Sequence, residues 1–520
     1  MRKLQIGIID ILGKSPGNLF ARYSRPNNQS IMPQVVAVWC EELGHDAHIA
    51  YQSGPDIMAG DLPDALDVVF INAFSENALL GYALSNYYRS KGAVTILGGP
   101  HARSYPDHSL RYFDYAVGFC DKNLLRDLLQ EAEPHRPVGH FLSARQQPVY
   151  LPGLRQRWKF MAPILEKAPL FKAIPILGSL GCPYTCSFCI DAQVPYQPLD
   201  FDVLKDDLRF ILEQKAPRTF VAWHDPNFGI KFDEYLGVIE ETVPAGSLTF
   251  LAEMSLALLK EENVKRLARN GFKVILPGVE SWYDMGNKSK MRVAEGMEKV
   301  ERVAEQANMI VSYIPYMQAN LILGLDADQG PEPFECTKRF VDLAPGVYPY
   351  FSLLMAYGGN APDNLRYQRE GRILNIPFHF LNQIDAMNVR PRHYSWPEFY
   401  DHVCDVYAYA YSPRAMFRRF MAKKDPATRF EQLLRTIAFE RGRKYKMHRQ
   451  MRERLKDPAV RRYFEGETTA LPAFYIDPIR EDLGPMWHWL PKDAIAYDPN
   501  AHLATQEGAP VTARAGMAMA

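Results

Sequence analysis

Cys182, Cys186 and Cys189 fall inside the segment Gly181-Cys182-Pro183-Tyr184-Thr185-Cys186-Ser187-Phe188-Cys189, with three and then two residues between them. Three close thiolates can each hold one iron of a cubane [4Fe–4S] cluster and leave the fourth iron without a protein ligand. Electron-transfer clusters ordinarily use four cysteines, so an open iron points to a small-molecule site rather than an electron wire. A structural zinc site wants four ligands, usually as two pairs, and no second Cys or His pair lies near. Seven cysteines in 520 residues, an odd number, do not make a disulfide framework. Cys40, Cys120, Cys336 and Cys404 stand singly and read as small buried side chains. Chance clustering of the first three is the bland alternative.

The CxxxCxxC spacing, the aromatic before the last cysteine and the preceding apolar run Ala173–Leu180 resemble the radical S-adenosylmethionine (SAM) superfamily. The resemblance implies that Cys182, Cys186 and Cys189 ligate the cluster and that the amino and carboxylate groups of SAM chelate the open iron. It further implies reductive cleavage of SAM to a 5′-deoxyadenosyl radical that takes hydrogen from a substrate. Phe188 would lie against the adenine side of the cofactor.

A chain of 520 residues has room for two or three domains. Net charge is zero, with 47% hydrophobic and 23% charged residues, so no global steering toward nucleic acid or membrane follows. The start, Met1-Arg2-Lys3-Leu4-Gln5-Ile6, leads into a strand-like run without a signal-peptide core. No apolar run approaches a membrane span. A cytoplasmic location is the default expectation, and an oxygen-sensitive cluster fits that reducing compartment.

Residues 1–135 alternate strands at Leu4–Ile9, Asp46–Tyr51, Val68–Asn72, Val94–Leu97 and Tyr115–Gly118 with amphipathic stretches such as Met32–Leu43 and Ala78–Ser90. That alternation predicts a doubly wound parallel α/β sheet, whose ligands bind beyond the carboxyl ends of its strands. The Gly98-Gly99-Pro100-His101 turn and the Asp114–Gly118 strand resemble the cobalamin-binding domain fused to many radical SAM proteins. By that resemblance a corrin would sit over Asn72, Gly98, Gly99 and His101. Asp46-Ala47-His48 imitates the start of a cobalt-ligating Asp-x-His-x-x-Gly motif, but Tyr51 stands where glycine is required. His48 therefore reads as an ordinary strand residue.

Residues 136–172, with Pro137, Pro148, Pro152 and Pro163, read as a connector. From 173 to 374 strands are expected at 174–180, 218–224, 247–253, 273–279, 310–323 and 348–354, separated by helices Val203–Glu213, Phe232–Glu241, Lys260–Asn270 and Ala294–Gln306. The sequence says parallel α/β; the resemblance makes it a partial (β/α)6 barrel. Strand ends carry the polar candidates. Asp225 and Asn227, in His224-Asp225-Pro226-Asn227, resemble the segment that binds the SAM amino group, with Asp225 the best candidate and a turn or helix N-cap the structural alternative. Glu280 and Ser281, in Gly278-Val279-Glu280-Ser281, resemble the family's G-x-E-S segment. Glu253 ends another strand, and a structural pairing with Arg269 is its alternative. Period two puts Gln318 and Asn320 on one strand face. The Tyr357-Gly358-Gly359-Asn360 turn departs from the subfamily's Pro-Tyr-Pro-Gly-Thr wording, so no substrate contact is carried across.

Residues 375–495 read as a helical domain and 496–520 as a disordered tail. The basic stretch Arg414–Arg462 leaves three readings open: a solvated helical face, contact with anionic lipid, or RNA contact. The lack of a terminal RNA-binding β-barrel pattern argues against nucleic acid. Taken together, the expectation is a radical SAM enzyme using a [4Fe–4S] cluster, SAM and cobalamin for C-methylation. Its substrate would be a small molecule or lipophile, and its electron donor a low-potential protein such as flavodoxin or ferredoxin. Radical oxidation, cyclisation or rearrangement is the alternative within the class. A non-catalytic iron–sulfur or redox-sensing protein is the alternative outside it.

Overall fold

The computed structural model describes residues 2–134, 138–192, 194–214, 219–283, 295–359 and 361–499. The first sheet has seven strands: β1 Gln5–Gly13, β2 Asp46–Ser53, β3 Asp56–Gly60, β4 Val68–Asn72, β5 Val94–Gly98, β6 Tyr115–Val117 and β7 His140–Leu142. Their order is β3-β2-β1-β4-β5-β6-β7, parallel except for the antiparallel edge strand β3. Helix Ile31–Glu42 covers one face and helix Ala78–Ser90 the other, the doubly wound arrangement that the strand–helix alternation predicts.

Two strands go beyond the sequence reading. β3 returns from β2 through Gly54, whose φ of +55° suits glycine. β7 extends the sheet past the expected boundary at 135, and the helix Leu154–Glu166 of the expected connector packs on this sheet, with Phe160 and Ile164 in its core. His48 lies in β2 and its Nε2 faces Gln5 Oε1 at 3.3 Å, a strand surface contact.

The second sheet contains β8 Lys172–Ile176, β11 Thr219–Trp223, β12 Thr249–Ser255, β13 Phe272–Glu280, β14 Tyr316–Leu323 and β15 Tyr348–Leu353. All six are parallel in the order β15-β14-β13-β12-β11-β8, an open barrel. Between β8 and β11 the short strands β9 Ser179–Leu180 and β10 Gln197–Pro198 form an antiparallel pair. The strand expected at 310–323 begins only at Tyr316, because helix Gly296–Tyr313 runs through Ile310. Val300, Val303, Ala304, Ala307 and Ile310 are buried at helical spacing, so the apolar residues near 310 belong to that helix's inner face. The expected helix start at Ala294 lies outside the described residues.

The C-terminal region is helical, and it clasps the first sheet as well as the barrel. Ser15 N–H donates to the Asp482 carboxylate, and Asn86 donates to the Trp489 carbonyl at 3.0 Å. The tail expected to be disordered from 496 begins ordered. Tyr497 is buried, stacks on Phe378 at 4.2 Å and donates its hydroxyl to the Ile376 carbonyl. Residues 500–520 lie outside the described residues. One apolar core runs from Val69 and Ile71 of β4 through the barrel to Tyr475 and Tyr497.

The two halves are also pinned by charge. Lys14, just past β1, donates to Asp385 at 2.7 Å, and Arg443 approaches the same carboxylate at 3.5 Å. Burial alone would raise the Asp385 pKa, but Lys14 and Arg443 outweigh it and hold the carboxyl well below its ordinary range. Lys14→Met would leave that carboxylate buried without its main partner, at about 3–5 kcal/mol. Denaturant unfolding should register this loss. Because the folded-state pKa is depressed, the contribution is complete above about pH 4 and fades as pH falls below it. Asp385→Asn should abolish that acid-limb dependence.

Candidate iron–sulfur and cofactor site

β8 hands the chain through Gly178 into β9, and the three cysteines follow in a loop closed by the β9–β10 pair. Gly178 has no alternative, because a Cβ there would stand 2.5 Å from the Tyr235 ring. Gly181 has φ +68°, and a Cβ on it would meet the Pro195 carbonyl oxygen at 2.3 Å. Cys182 and Cys186 are buried, Cys189 is half-buried, and all three are free thiols. Cys189 N–H donates to the Cys186 carbonyl at 3.0 Å, and Asp191 N–H points to Cys189 Sγ at 3.4 Å. Such N–H groups stabilise negative charge on sulfur. Phe188 is half-buried beside them, and the neighbouring Ser187 carbonyl accepts from Asp363 N–H at 2.9 Å.

The donor set fits an iron–sulfur cluster: soft thiolates, one oriented N–H to sulfur, and no disulfide competing for them. Among the described residues no three His, Cys, Asp or Glu side chains converge on one metal-ion position. Thiolates that each serve a different iron of a cluster do not need to.

Asp225 holds this loop in place. Its carboxylate accepts from Gly178 N–H (2.7 Å), Ser179 Oγ (2.6 Å) and Tyr235 Oη (2.7 Å). Burial raises its pKa and these donors oppose the rise. Asn227 is likewise internal: its Oδ1 accepts from Gly229 N–H at 3.1 Å and Ser255 N–H at 3.2 Å. Ser281 is buried, and its Oγ accepts from Tyr283 N–H at 3.1 Å. These three sequence candidates therefore sit behind the strand ends, in strand–helix packing.

The strand register collects a different set on the barrel's inner face. Ser255 pairs with Gly278, Gly278 with Asn320, and Asn320 with Tyr350, so period two aligns Glu253, Gln318, Asn320 and Tyr350, while the register shifts after Gly278 and Glu280 pairs with Leu321. Gln318 Nε2 donates to Asn320 Oδ1 at 2.7 Å. Glu280 holds a φ of +64°, uncommon and strained for a side-chain-bearing residue. A Cβ on Gly278 would lie 2.0 Å from Glu280 Oε1, which shows the carboxylate folded back over the strand. His224 and Tyr350 were not read from the sequence as site residues. The alternation along β11 points His224 opposite to Asp225, which is the signal that identifies it.

A cavity of ≈ 420 Å³ joins the carboxyl ends of the first sheet to the cysteine loop. Asn72, Gly98, Gly99 and Arg103 line one side, and Gly181, Asp191 and His224 the other. Asn72 Nδ2 donates to Asp10 Oδ1 at 2.8 Å, which fixes the cavity rim. Gly99 has φ +89°, and a Cβ would press Asn72 Oδ1 at 2.4 Å. His224 is open to the cavity, yet the protein around it lowers its pKa to about 4, leaving it neutral at pH 7. His101 does not reach this cavity. It is buried between Tyr82 Oη, 2.7 Å from Nε2, and Ser75 Oγ, 3.2 Å from Nδ1.

No protein-family model matches the chain. Among curated proteins, it is 26% identical over 312 residues to the bacteriochlorophyllide d C-8(2)-methyltransferase of Chlorobaculum tepidum, covering 56% of this chain and 66% of that protein. It is 21% identical over 355 residues to the C-12(1)-methyltransferase of the same organism, covering 67% and 71%. The chain thus spans about two thirds of the length of these relatives. Among solved structures it resembles the radical SAM methyltransferase TsrM from Kitasatospora setae with cobalamin and a [4Fe–4S] cluster bound (TM-score 0.52, 14% identity, 71% of this chain and 78% of that one). It also resembles the cobalamin-dependent SAM radical enzyme OxsB with aqua-cobalamin bound (TM-score 0.51, 11% identity, 96% and 83%). At these identities the likeness establishes the fold: a doubly wound sheet, an open barrel and a helical C-terminal region in the arrangement of these cobalamin-binding radical SAM proteins.

Replacing Cys182, Cys186 or Cys189 by alanine should abolish bound iron after anaerobic reconstitution, measured as iron and sulfide per chain. Asp225→Asn leaves a buried N–H donor facing an amide NH2, at about 1–3 kcal/mol. It should lower cluster occupancy without removing a ligand, and a full iron content in that variant would show that the loop does not depend on it.

Proposed function

We propose that this chain is a radical SAM enzyme that uses cobalamin to methylate an unactivated carbon of a lipophilic small molecule. The carrying observation is the cavity shared by the cysteine loop and the carboxyl ends of the doubly wound sheet. Such a sheet binds cofactors at those ends, and the cavity brings that position against the thiolate loop. When bound, the cluster supplies the electron for reductive SAM cleavage and the corrin carries the methyl group.

The chain's own residues would do the positioning. Cys182, Cys186 and Cys189 hold three irons, and Glu253, Glu280, Gln318 and Asn320 offer carboxylate and amide partners to the ammonium and hydroxyl groups of SAM. Phe188 offers an aromatic face beside the cluster. Asn72, Gly98, Gly99 and Arg103 form the corrin-side wall, and neutral His224 lies between the two cofactor positions. The relatives' names place bacteriochlorophyllide d as their substrate, which favours a flat, lipophilic substrate here. OxsB matches nearly the whole chain and is described as a radical enzyme rather than a methyltransferase. A radical oxidation, cyclisation or rearrangement without methyl transfer is accordingly the second reading.

Anaerobic protein reconstituted with iron, sulfide and hydroxocobalamin should carry about four irons and a corrinoid absorption band. With reductant and SAM it should release 5′-deoxyadenosine. Deuteromethyl-labelled SAM should pass its label to a tetrapyrrole or other lipophilic acceptor. Absence of 5′-deoxyadenosine from the loaded protein with candidate acceptors supplied would refute radical SAM chemistry, and label-free product would favour the second reading. Gly99→Val, which forces a side chain at positive φ into Asn72 and the Ala73 carbonyl, should eliminate corrinoid binding while iron content stays at the wild-type level.

A further inference from the structure

The helix pair Pro413–Ala422 and Pro426–Arg435 is inside out for a protein in water. Phe417 (65% exposed), Met421 (57%), Phe430 (58%) and Leu434 (56%) face outward, and Ile437 (53%) continues the stripe into the π-helical segment Thr436–Tyr445. Phe417 and Met421 are four apart, and Phe430, Leu434 and Ile437 follow at four and three, so each helix presents one apolar stripe. The helices pack together, with the Phe420 and Phe430 rings 5.8 Å apart. The inward faces hold Arg419, Lys423, Gln432 and Thr436, all buried. Arg419 donates to the Ala410 carbonyl at 2.9 Å and Lys423 Nζ to the Pro315 carbonyl at 2.6 Å. A helix that buries guanidinium and ammonium groups while exposing Phe, Leu, Ile and Met reverses the usual preference.

The exposure is concentrated. Of sixteen large hydrophobic residues that stand exposed among the described residues, five fall between 417 and 437. The Asn18 side chain donates to the Ala438 carbonyl at 3.4 Å, which brings the helix Leu19–Ser24, with Leu19 and Tyr23 exposed, alongside the stripe. Patches of this kind mark interaction surfaces.

Charge selects the partner. Residues 413–450 contain twelve Lys and Arg against three Asp and Glu. Two of those acids, Glu431 and Glu440, and three of the bases, Arg419, Lys423 and Lys444, are enclosed by protein, which leaves nine bases against one acid. Arg414, Lys424 and Arg441 are exposed around the apolar stripe. We propose that this face docks the enzyme on the surface of an anionic lipid bilayer, the apolar side chains entering the interface and the basic rim meeting lipid phosphates. A second copy would set two like-charged rims against each other. Nucleic acid would take the charge but has no use for exposed Leu, Ile and Met. Among the described residues no helix is long and apolar enough to cross a membrane, so the contact is one of lying on the bilayer.

The test is co-sedimentation of the full chain, prepared anaerobically with its iron retained, with vesicles of phosphatidylcholine alone or mixed with phosphatidylglycerol. The expected result is binding to the mixed vesicles, weakened by salt, and about tenfold or more weaker on phosphatidylcholine alone. Phe430→Ser/Leu434→Ser/Ile437→Ser should reduce binding to both vesicle types by about tenfold or more. The single change Phe417→Ser should act in the same direction if the triple variant folds poorly by circular dichroism. Arg414→Gln/Lys424→Gln/Arg441→Gln should remove the preference for phosphatidylglycerol, whereas Ile57→Ser, an exposed apolar residue on β3, should change nothing. Failure of the wild-type chain to bind mixed vesicles overturns the proposal. So does a dimer, seen by light scattering, that the apolar substitutions dissolve. The vesicle readout involves neither SAM nor corrin, so it stands or falls separately from the proposed radical chemistry.

Discussion

The carboxylate of Asp225 ties three elements at one point: the end of β8 through Gly178 and Ser179, the end of β11 from which Asp225 itself projects, and the helix Phe232–Thr242 through Tyr235. A buried carboxylate is tolerable only when its oxygens are hydrogen-bonded, so satisfying it fixes the direction in which the chain leaves β8. The next residues are the β9–β10 pair and the cysteines. Gly178 belongs to the same constraint, since Tyr235 reaches Asp225 only because no side chain stands at 178. The geometry of the thiolate loop is thus determined from behind the sheet, leaving the inner face free for ligands.

The cavity beside the cysteine loop exists only because the first sheet is held against the barrel. Three kinds of contact do this: the buried Lys14–Asp385–Arg443 cluster, the Tyr105–Phe378–Tyr497 aromatic group, and a close backbone approach in which a Cβ on Gly358 would stand 1.8 Å from the Ser104 carbonyl oxygen. The Tyr357-Gly358-Gly359 turn, whose wording departs from the subfamily's, lies at this contact between domains. Its first glycine, Gly358, answers to packing against Ser104, and that accounts for glycine at this position without appeal to a substrate.

The cysteine spacing and the strand–helix alternation were legible in the sequence because they are local: one is a matter of neighbours, the other of periods. The six barrel strands and five of the seven in the first sheet follow from them. What escaped was short or distant. β7 is three residues long between prolines, too brief for periodicity to register. Lys14 and Asp385 are separated by 371 positions, and nothing local announces their pairing. At the site, motif resemblance pointed to Asp225 because of its place in the segment, whereas strand alternation separates it from His224 and gives the cavity face to the histidine. Glu280 was found for its motif, but the reason for the motif, a folded-back carboxylate over Gly278 at a positive φ, needed the backbone.

Among the described residues no further strand covers the edge strand β15, and what closes it is charged. Glu440 and Lys444, four apart in the π-helical segment, are fully buried as an ion pair at 3.2 Å, and Lys444 Nζ lies 3.7 Å from the Tyr350 ring centre. Arg435 sits over the Tyr348 ring at 4.5 Å. Apolar side chains would cover the strand with less desolvation, and apolar side chains are what the neighbouring helices expose on their outer surface. The distribution is coherent if the two faces meet different surroundings: a polar inner lining at Tyr350 and Asn320 beside the cofactor site, and a non-aqueous boundary outside. A long π-helical stretch, rare in proteins and concentrated at functional positions, widens the helix where both demands coincide, turning Glu440 and Lys444 inward while Ile437 stays out. Under the proposed lipid docking, the C-terminal region would be a partition between the barrel interior and the bilayer surface, and its inverted polarity would follow from that position.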